Sequence, residues 1–319
     1  MKRLLSVFVA IAMIASGAAH AQVYPDRPVT IIVPFAAGSG SDTAARVIGQ
    51  HLTQRLGQTF VVENRVGATG VIASTAVAHT KPDGYTLLLG TNSTHGTNPS
   101  LYKSITYDPV KDFVAVAHTG DFAYFLVVNP DLPIKSVADL VAYGNANPGK
   151  LSYAAGSSTS IVMAETFAKG IGQEIVKVPY RSNPPALTDV MAGRVSMMFV
   201  DISTSLSFVT AGTLRALAVT SIARSGLKPD MPTIDETAVK GFDIASWTGI
   251  YAPTGTPKPI VDKLNAEINT IIAMPEVKEQ FTRLGIEPKP KTPVEFATFT
   301  SAEVEKWTRL VKQAGIQPE

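Results

Sequence analysis

The sequence predicts an α/β protein of two lobes, each a central, mostly parallel sheet flanked by helices. Three observations carry that prediction. Short β-branched runs alternate with helices striped on one face, the pattern of strands that cross over through helices into a parallel sheet. Gly- and Ser-rich loops join strand ends to helix starts, which puts candidate ligand contacts at the carboxyl edges of the sheets. The chain has 319 residues, about twice the length of a common single domain.

The first residues read as an export signal. Lys2 and Arg3 form a basic start, residues 4–15 an apolar stretch, and Ala19-His20-Ala21 a small-x-small cleavage site. That stretch is shorter than the roughly 20 residues of a membrane-spanning helix. Cleavage after Ala21 leaves 298 of 319 residues, and Lys plus Arg falls from 28 to 26 against 26 Asp plus Glu. A near-neutral mature chain with no Lys/Arg run argues against a nucleic-acid partner. The sequence has no cysteine, which excludes a lipid tether at the cleavage site, disulfides, thiolate chemistry and Cys-containing metal sites.

Residues 29–33 form a buried strand, residues 34–41 a loop, and a helix follows with Ser41 or Asp42 as N-cap and Gly57 as its stop. Strand 60–63, helix 71–79 and strand 85–90, entered by the Asp83-Gly84 turn, complete a β-α-β-α-β unit. A strand at 122–128 and a helix at 136–145, capped by Ser136, lead to a second unit. It comprises strand 151–154, helix 161–170, strand 175–178, helix 186–193 and strand 195–200, and strand 214–219 closes it. The C-terminal third has a strand at 247–252 and helices at 258–273, 275–284 and 293–314. Thr292-Pro293-Val294-Glu295 opens the last of these as cap, Pro at N1 and Glu at N3.

The most informative loop is Phe35-Ala36-Ala37-Gly38-Ser39-Gly40-Ser41-Asp42. Glycines between a buried strand and a helix start let backbone N–H groups and the helix dipole meet an anion, carboxylate or phosphate. Thr43 stands where a dinucleotide fingerprint needs its third Gly or Ala, and no Lys makes the loop a phosphate-binding P-loop. Asp42 either complements the helix dipole or faces a ligand carrying an ammonium or hydroxyl. A second strand-to-helix loop offers Ser157 and Ser158, and the segment facing it adds Tyr180, Arg181 and Ser182. Arg181 is the candidate charge partner for a carboxylate. Asp201 ends a strand, where it either meets a ligand or caps the next helix. Ser93 and Thr94 hold the equivalent edge of the first unit. There is no Gly-x-Ser-x-Gly, no His-Glu-x-x-His and no paired histidine spacing, so nothing points to catalysis, a metal or a cofactor.

Several segments together resemble the Bug proteins, the substrate-binding proteins of tripartite tricarboxylate transporters. They include Tyr24-Pro25-Asp26-Arg27-Pro28, Val33-Pro34-Phe35-Ala36-Ala37-Gly38, Val62-Glu63-Asn64-Arg65, Tyr107-Asp108-Pro109-Val110-Lys111-Asp112-Phe113, Val178-Pro179-Tyr180-Arg181 and Leu214-Arg215-Ala216-Leu217-Ala218-Val219-Thr220. The resemblance implies a type II, venus-flytrap periplasmic binding protein. Residues 22–121 and 222–319 would form lobe one and residues 122–221 lobe two. It also implies a monomer without cofactor or enzymatic activity. Such a protein would take a mono- or dicarboxylate, an amino or aromatic acid included, to membrane permease subunits; a ligand-sensing role beside a sensor kinase is the alternative. Carried over, residues 35–41 grip one carboxylate, and Ser157, Ser158, Tyr180, Arg181, Ser182 and Asp201 select the remainder. Two departures fall where selection is expected: Ile161-Val162-Met163 replaces a frequent His-Leu pair, and Ser182 replaces a frequent Gly.

Overall fold

The computed structural model describes residues 24–318; the signal segment and its cleavage site lie outside them. The first strand, β1 (Val29–Val33), has Val29, Ile31, Ile32 and Val33 fully buried. Removing side chains of that size from water stabilises the fold by about 1.5–3 kcal/mol each before entropy is counted. Then come α1 (Gly40–Leu56), β2 (Phe60–Asn64), α2 (Val71–Ala78), β3 (Thr86–Thr91), a π-helical turn over Ser93–Thr97, the short α3 (Asn98–Leu101) and β4 (Phe113–Phe122).

One residue separates β4 from β5 (Tyr124–Val128), the first strand of the second sheet. It is followed by α4 (Val137–Ala146), β6 (Ser152–Ala155), α5 (Ser158–Gly170), β7 (Val176–Pro179), α6 (Asn183–Met191), β8 (Met197–Asp201), α7 (Ile202–Thr210) and β9 (Arg215–Val219). After the short α8 (Ile234–Thr237) the chain rejoins the first sheet with β10 (Ser246–Pro253). The C-terminal elements are α9 (Lys258–Ala273), α10 (Pro275–Arg283), β11 (Ile286–Glu287) and α11 (Pro293–Ala314).

The first sheet is ordered β11-β4-β10-β3-β1-β2 and the second β7-β6-β8-β5-β9. Most strands of each sheet run one way, as the alternating pattern requires. Each sheet also holds a reversed strand inside it: β10 is antiparallel to β3 and β4, and β5 is antiparallel to β8 and β9. These are the strands by which the chain arrives from the other sheet. Their starts therefore lie at the edge where the parallel strands end.

Three helices begin earlier than their apolar periodicity predicts. Ser39, not Ser41 or Asp42, caps α1, in extended backbone with its hydroxyl accepting the Asp42 N–H. Ser157 caps α5 through a capping box with Ser160, which brings Ser158 to Ser160 into the helix. The turn before residue 186 is already α6, with Pro184 and Pro185 in its first turn, where the missing N–H costs nothing. The caps at Ser136 and Thr292 and the left-handed stop at Gly57 stand as read. Strand β4 went unread because residues 113–122 mix Ala, His, Thr, Gly and Asp without a clean period, and α7 because its nine residues are mostly Ser, Thr and β-branched. Among the described residues no helix is long and apolar enough to cross a membrane.

Candidate ligand-binding cleft

Four helix N-termini open on one cavity between the sheets. From lobe one come the Ser39 cap of α1 with Gly40 and Ser41; from lobe two come the caps Ser157 of α5, Ser182 of α6 with Asn183, and Asp201 of α7. Phe35 and the end of β3, Thr91-Asn92-Ser93, complete the lobe-one wall with Ser246 and Thr248 of β10. Phe122 and Tyr124 flank the crossover. The lobes face each other across this cavity, which has about 30 Å³ of free room.

Direct bonds hold that spacing. The Ala36 N–H donates to Ser182 Oγ at 3.1 Å, Ser158 Oγ to Asn98 Oδ1 at 2.8 Å, and Ser93 Oγ meets Thr159 Oγ1 at 3.0 Å. Asn92 is the hub: its amide donates to Thr159 Oγ1 and its carbonyl accepts from Ser246 Oγ.

Among the described residues the lining contains no Lys, Arg or His and one carboxylate, Asp201. That carboxylate is committed to the first turns of two lobe-two helices, α7 and α6. Oδ1 accepts from the Thr204 N–H at 2.9 Å and from the hydroxyls of Ser203 and Thr204, and Oδ2 from Asn183 Nδ2 at 2.9 Å. Tyr124 pairs in register with Asp201; burial, then the Asp201 charge, push its phenol well up, so it stays protonated. A wall of hydroxyls and helix N-termini suits an anion, because unpaired N–H groups and the macrodipole supply partial positive charge without a basic side chain.

Of the residues singled out in the sequence, Phe35, Ser39, Gly40, Ser41, Ser93, Ser157, Ser182 and Asp201 meet at the cavity. The others stand behind it or outside. Ala36 spends its N–H on Ser182, while Ala37 and Gly38 are exposed. The Gly38 N–H goes to Asp42 Oδ2 and the Ser39 N–H to Ala36 O, so the loop's own closure uses donors expected to face a ligand. Asp42 is turned inward. Burial raises its pKa, but hydrogen bonds from Arg46, the Gly38 N–H and Asn64 outweigh this and hold the carboxyl below its ordinary value.

Thr94 folds the turn after β3, its hydroxyl accepting the Thr91 N–H at 2.9 Å. Beside it, His95 is stacked on Tyr251 at 3.9 Å, and burial pushes it down to about 3, so it is a neutral core residue. Ser158 bonds Asn98 rather than lining the cavity. Tyr180 donates to Asp189 Oδ2 at 2.6 Å on lobe two's surface, and Arg181 is exposed beyond the lining. Its neighbours Ser182 and Asn183 are buried instead and take the place at the cavity.

Sequence reading missed Thr91, Asn92, Phe122, Tyr124, Asn183, Ser246 and Thr248. Ser246, Thr248 and Tyr124 come from the starts of reversed strands, where the rule that ligands meet strand C-termini does not look. The alternation of Ser246 and Thr248 on one face of an otherwise apolar strand was the available signal.

The model of the family described as "Tripartite tricarboxylate transporter family receptor" matches residues 44–316. Protein BugT of Bordetella pertussis is 37% identical over 321 residues, spanning 99% of this chain and 98% of its own. Among solved structures, the R. palustris protein Rpa4515 with adipate superposes with a TM-score of 0.91 at 36% identity, covering 93% of this chain and all of that one. MatC from Rhodopseudomonas palustris with bound malate gives 0.86 at 33% identity, covering 90% and 100%. The periplasmic binding protein BugD gives 0.88 at 35%, covering 93% and 100%. In sequence and in fold, the chain belongs to the tripartite tricarboxylate transporter receptor family, the Bug-type periplasmic solute-binding proteins.

Proposed function

We propose that this protein captures a small mono- or dicarboxylate reversibly between its lobes and delivers it to the membrane permease subunits of a tripartite tricarboxylate-type transporter. One observation carries the ligand class: helix N-termini from both lobes converge on a cavity whose lining has no basic side chain. The adipate and malate held by two similar proteins are of the same chemical class. In this reading Phe35, Ser39, Gly40, Ser41 and Ser93 form the lobe-one wall, with Thr91, Asn92, Ser246 and Thr248 added. Ser157, Ser182, Asn183 and Asp201 face them from lobe two, and Tyr124 closes the hinge side. Lobe one comprises residues 22–121 and 222–319, and lobe two residues 122–221. Export through a signal cleaved after Ala21 places the protein in the periplasm. Its role is binding without turnover, a reading supported by the family of solute-binding proteins to which the chain belongs.

Trp247 lies between two lining residues, Ser246 and Thr248, so intrinsic fluorescence reports on the cleft. Mature protein stripped of co-purified molecules by unfolding and refolding is titrated with C3–C6 mono- and dicarboxylates, by fluorescence and by calorimetry. Saturable binding of at least one acid is expected; silence across the panel overturns the ligand class.

A further inference from the structure

Gly40 occupies the first turn of α1, yet its backbone does not call for glycine. It is absent from the positive-φ positions, unlike Gly38 at φ 81°, which has open space around it. Glycine in a helix is locally unfavourable, so another demand holds it there. A Cβ built on Gly40 would lie 2.6 Å from Asp201 Oδ1, and closer still to Ser203 Oγ, both on the opposite lobe. Neither atom yields easily. Asp201 Oδ1 is pinned by the Thr204 N–H and by the hydroxyls of Ser203 and Thr204, and Ser203 Oγ is itself held by that carboxylate at 2.6 Å. Around this point α1 and α7 pack against each other across the cleft.

We propose that Gly40 is the stop that sets how far the lobes close. The missing side chain lets the N-terminus of α1 seat against the Asp201 cap of α7. The positive end of one helix then meets the carboxylate that caps the other, a pairing that favours the closed state. One added methyl at this contact holds the walls apart and weakens the grip on a small acid. Gly40 is thus a positioning residue for closure, an inference that rests on the reading of the protein as a two-lobed carboxylate trap.

The absence of cysteine makes the test direct. Ile72→Cys on lobe one and Val176→Cys on lobe two, both exposed positions, carry spin labels. Interlabel distances are measured for the full mature chain and for Gly40→Ala and Gly40→Val, with and without saturating adipate, malate or succinate. Alanine favours the helix locally, so the variants should unfold no earlier than the parent, which thermal melts verify. The expected result is a short-distance population in the parent with at least one acid, a tenfold or greater loss of affinity in Gly40→Ala, and a larger loss in Gly40→Val. Variants that reach the parent's short distance with unchanged affinity overturn the stop while leaving the carboxylate reading intact. A parent that closes on none of the acids removes that reading, and the stop with it.

Discussion

The Ala36 amide and the Ser182 hydroxyl join the two lobes directly, at 3.1 Å. Ser182 opens α6 in extended backbone but makes no side-chain cap bond to its own helix, which leaves its hydroxyl to the opposite lobe. Ser182→Ala therefore spares α6 and removes one closing contact. A neutral hydrogen bond contributes about 0.5–1.5 kcal/mol. The Kd for whichever carboxylate binds should accordingly rise about two- to tenfold, while the unfolding midpoint of the ligand-free protein stays put. Calorimetric titration with parallel melting curves checks both, and an unchanged Kd would remove Ser182 from the closing contacts.

The elements legible in the sequence are those whose local chemistry agrees with their tertiary setting. The buried run Val29–Val33, the Thr292 capping box and the Gly57 stop each carry a signal that no distant contact overrides. Ser39 was harder to identify as a cap, because Ser39, Ser41 and Asp42 all have the right chemistry and only backbone angles separate them. The cleft was half legible for a topological reason. Loops that follow parallel strands can be found from sequence order, and they supplied Ser39, Gly40, Ser157, Ser182 and Asp201. Tyr124, Ser246 and Thr248 reach the cavity only because β5 and β10 run against their neighbours, and strand direction across a crossover is not written in local pattern.

Arg181 separates the two levels of reading. As a lone cation after a strand it is the natural carboxylate partner, yet its side chain is exposed and outside the lining. Arg181→Ala should change carboxylate affinity by less than about twofold, since exposed charges at a distance are screened by solvent and salt. Titrations in 20 mM and 200 mM salt provide the measurement. A tenfold loss at both would show that Arg181 reaches the ligand in solution.

Glu303 concerns stability rather than binding. Its Oε2 accepts from Trp247 Nε1 and from Trp307 Nε1, each at 2.8 Å, tying β10 to α11 beneath the cleft wall. Glu303→Ala strands two buried indole N–H groups, at about 1–3 kcal/mol each. The unfolding midpoint should fall by roughly 3–10 °C for a chain of this size. Glu303→Gln keeps an acceptor and should lose less than half as much. Scanning calorimetry measures the drop; equal losses in the two variants would mean that the charge, not the acceptor, matters.

Asp42 gives the fold an acid limit. Burial works against its charge, but the Arg46 guanidinium, the Gly38 N–H and the Asn64 amide together hold the folded carboxyl below its ordinary value of 3.8. A carboxyl depressed on folding binds its proton more weakly in the folded than in the unfolded chain. Its contribution is therefore fully present above the ordinary value and is lost as pH falls through the folded one. Asp42→Asn should lower the unfolding midpoint at pH 7, with the gap to the parent narrowing as pH drops below about 4. The same substitution loosens the loop that positions Ser39 and Gly40, so carboxylate affinity at pH 7 should fall too. Melting curves from pH 7 to pH 3 for both proteins decide the matter: a gap that stays constant with pH would mean that the Asp42 charge contributes nothing to stability, and that its hydrogen-bonding shape alone builds the loop.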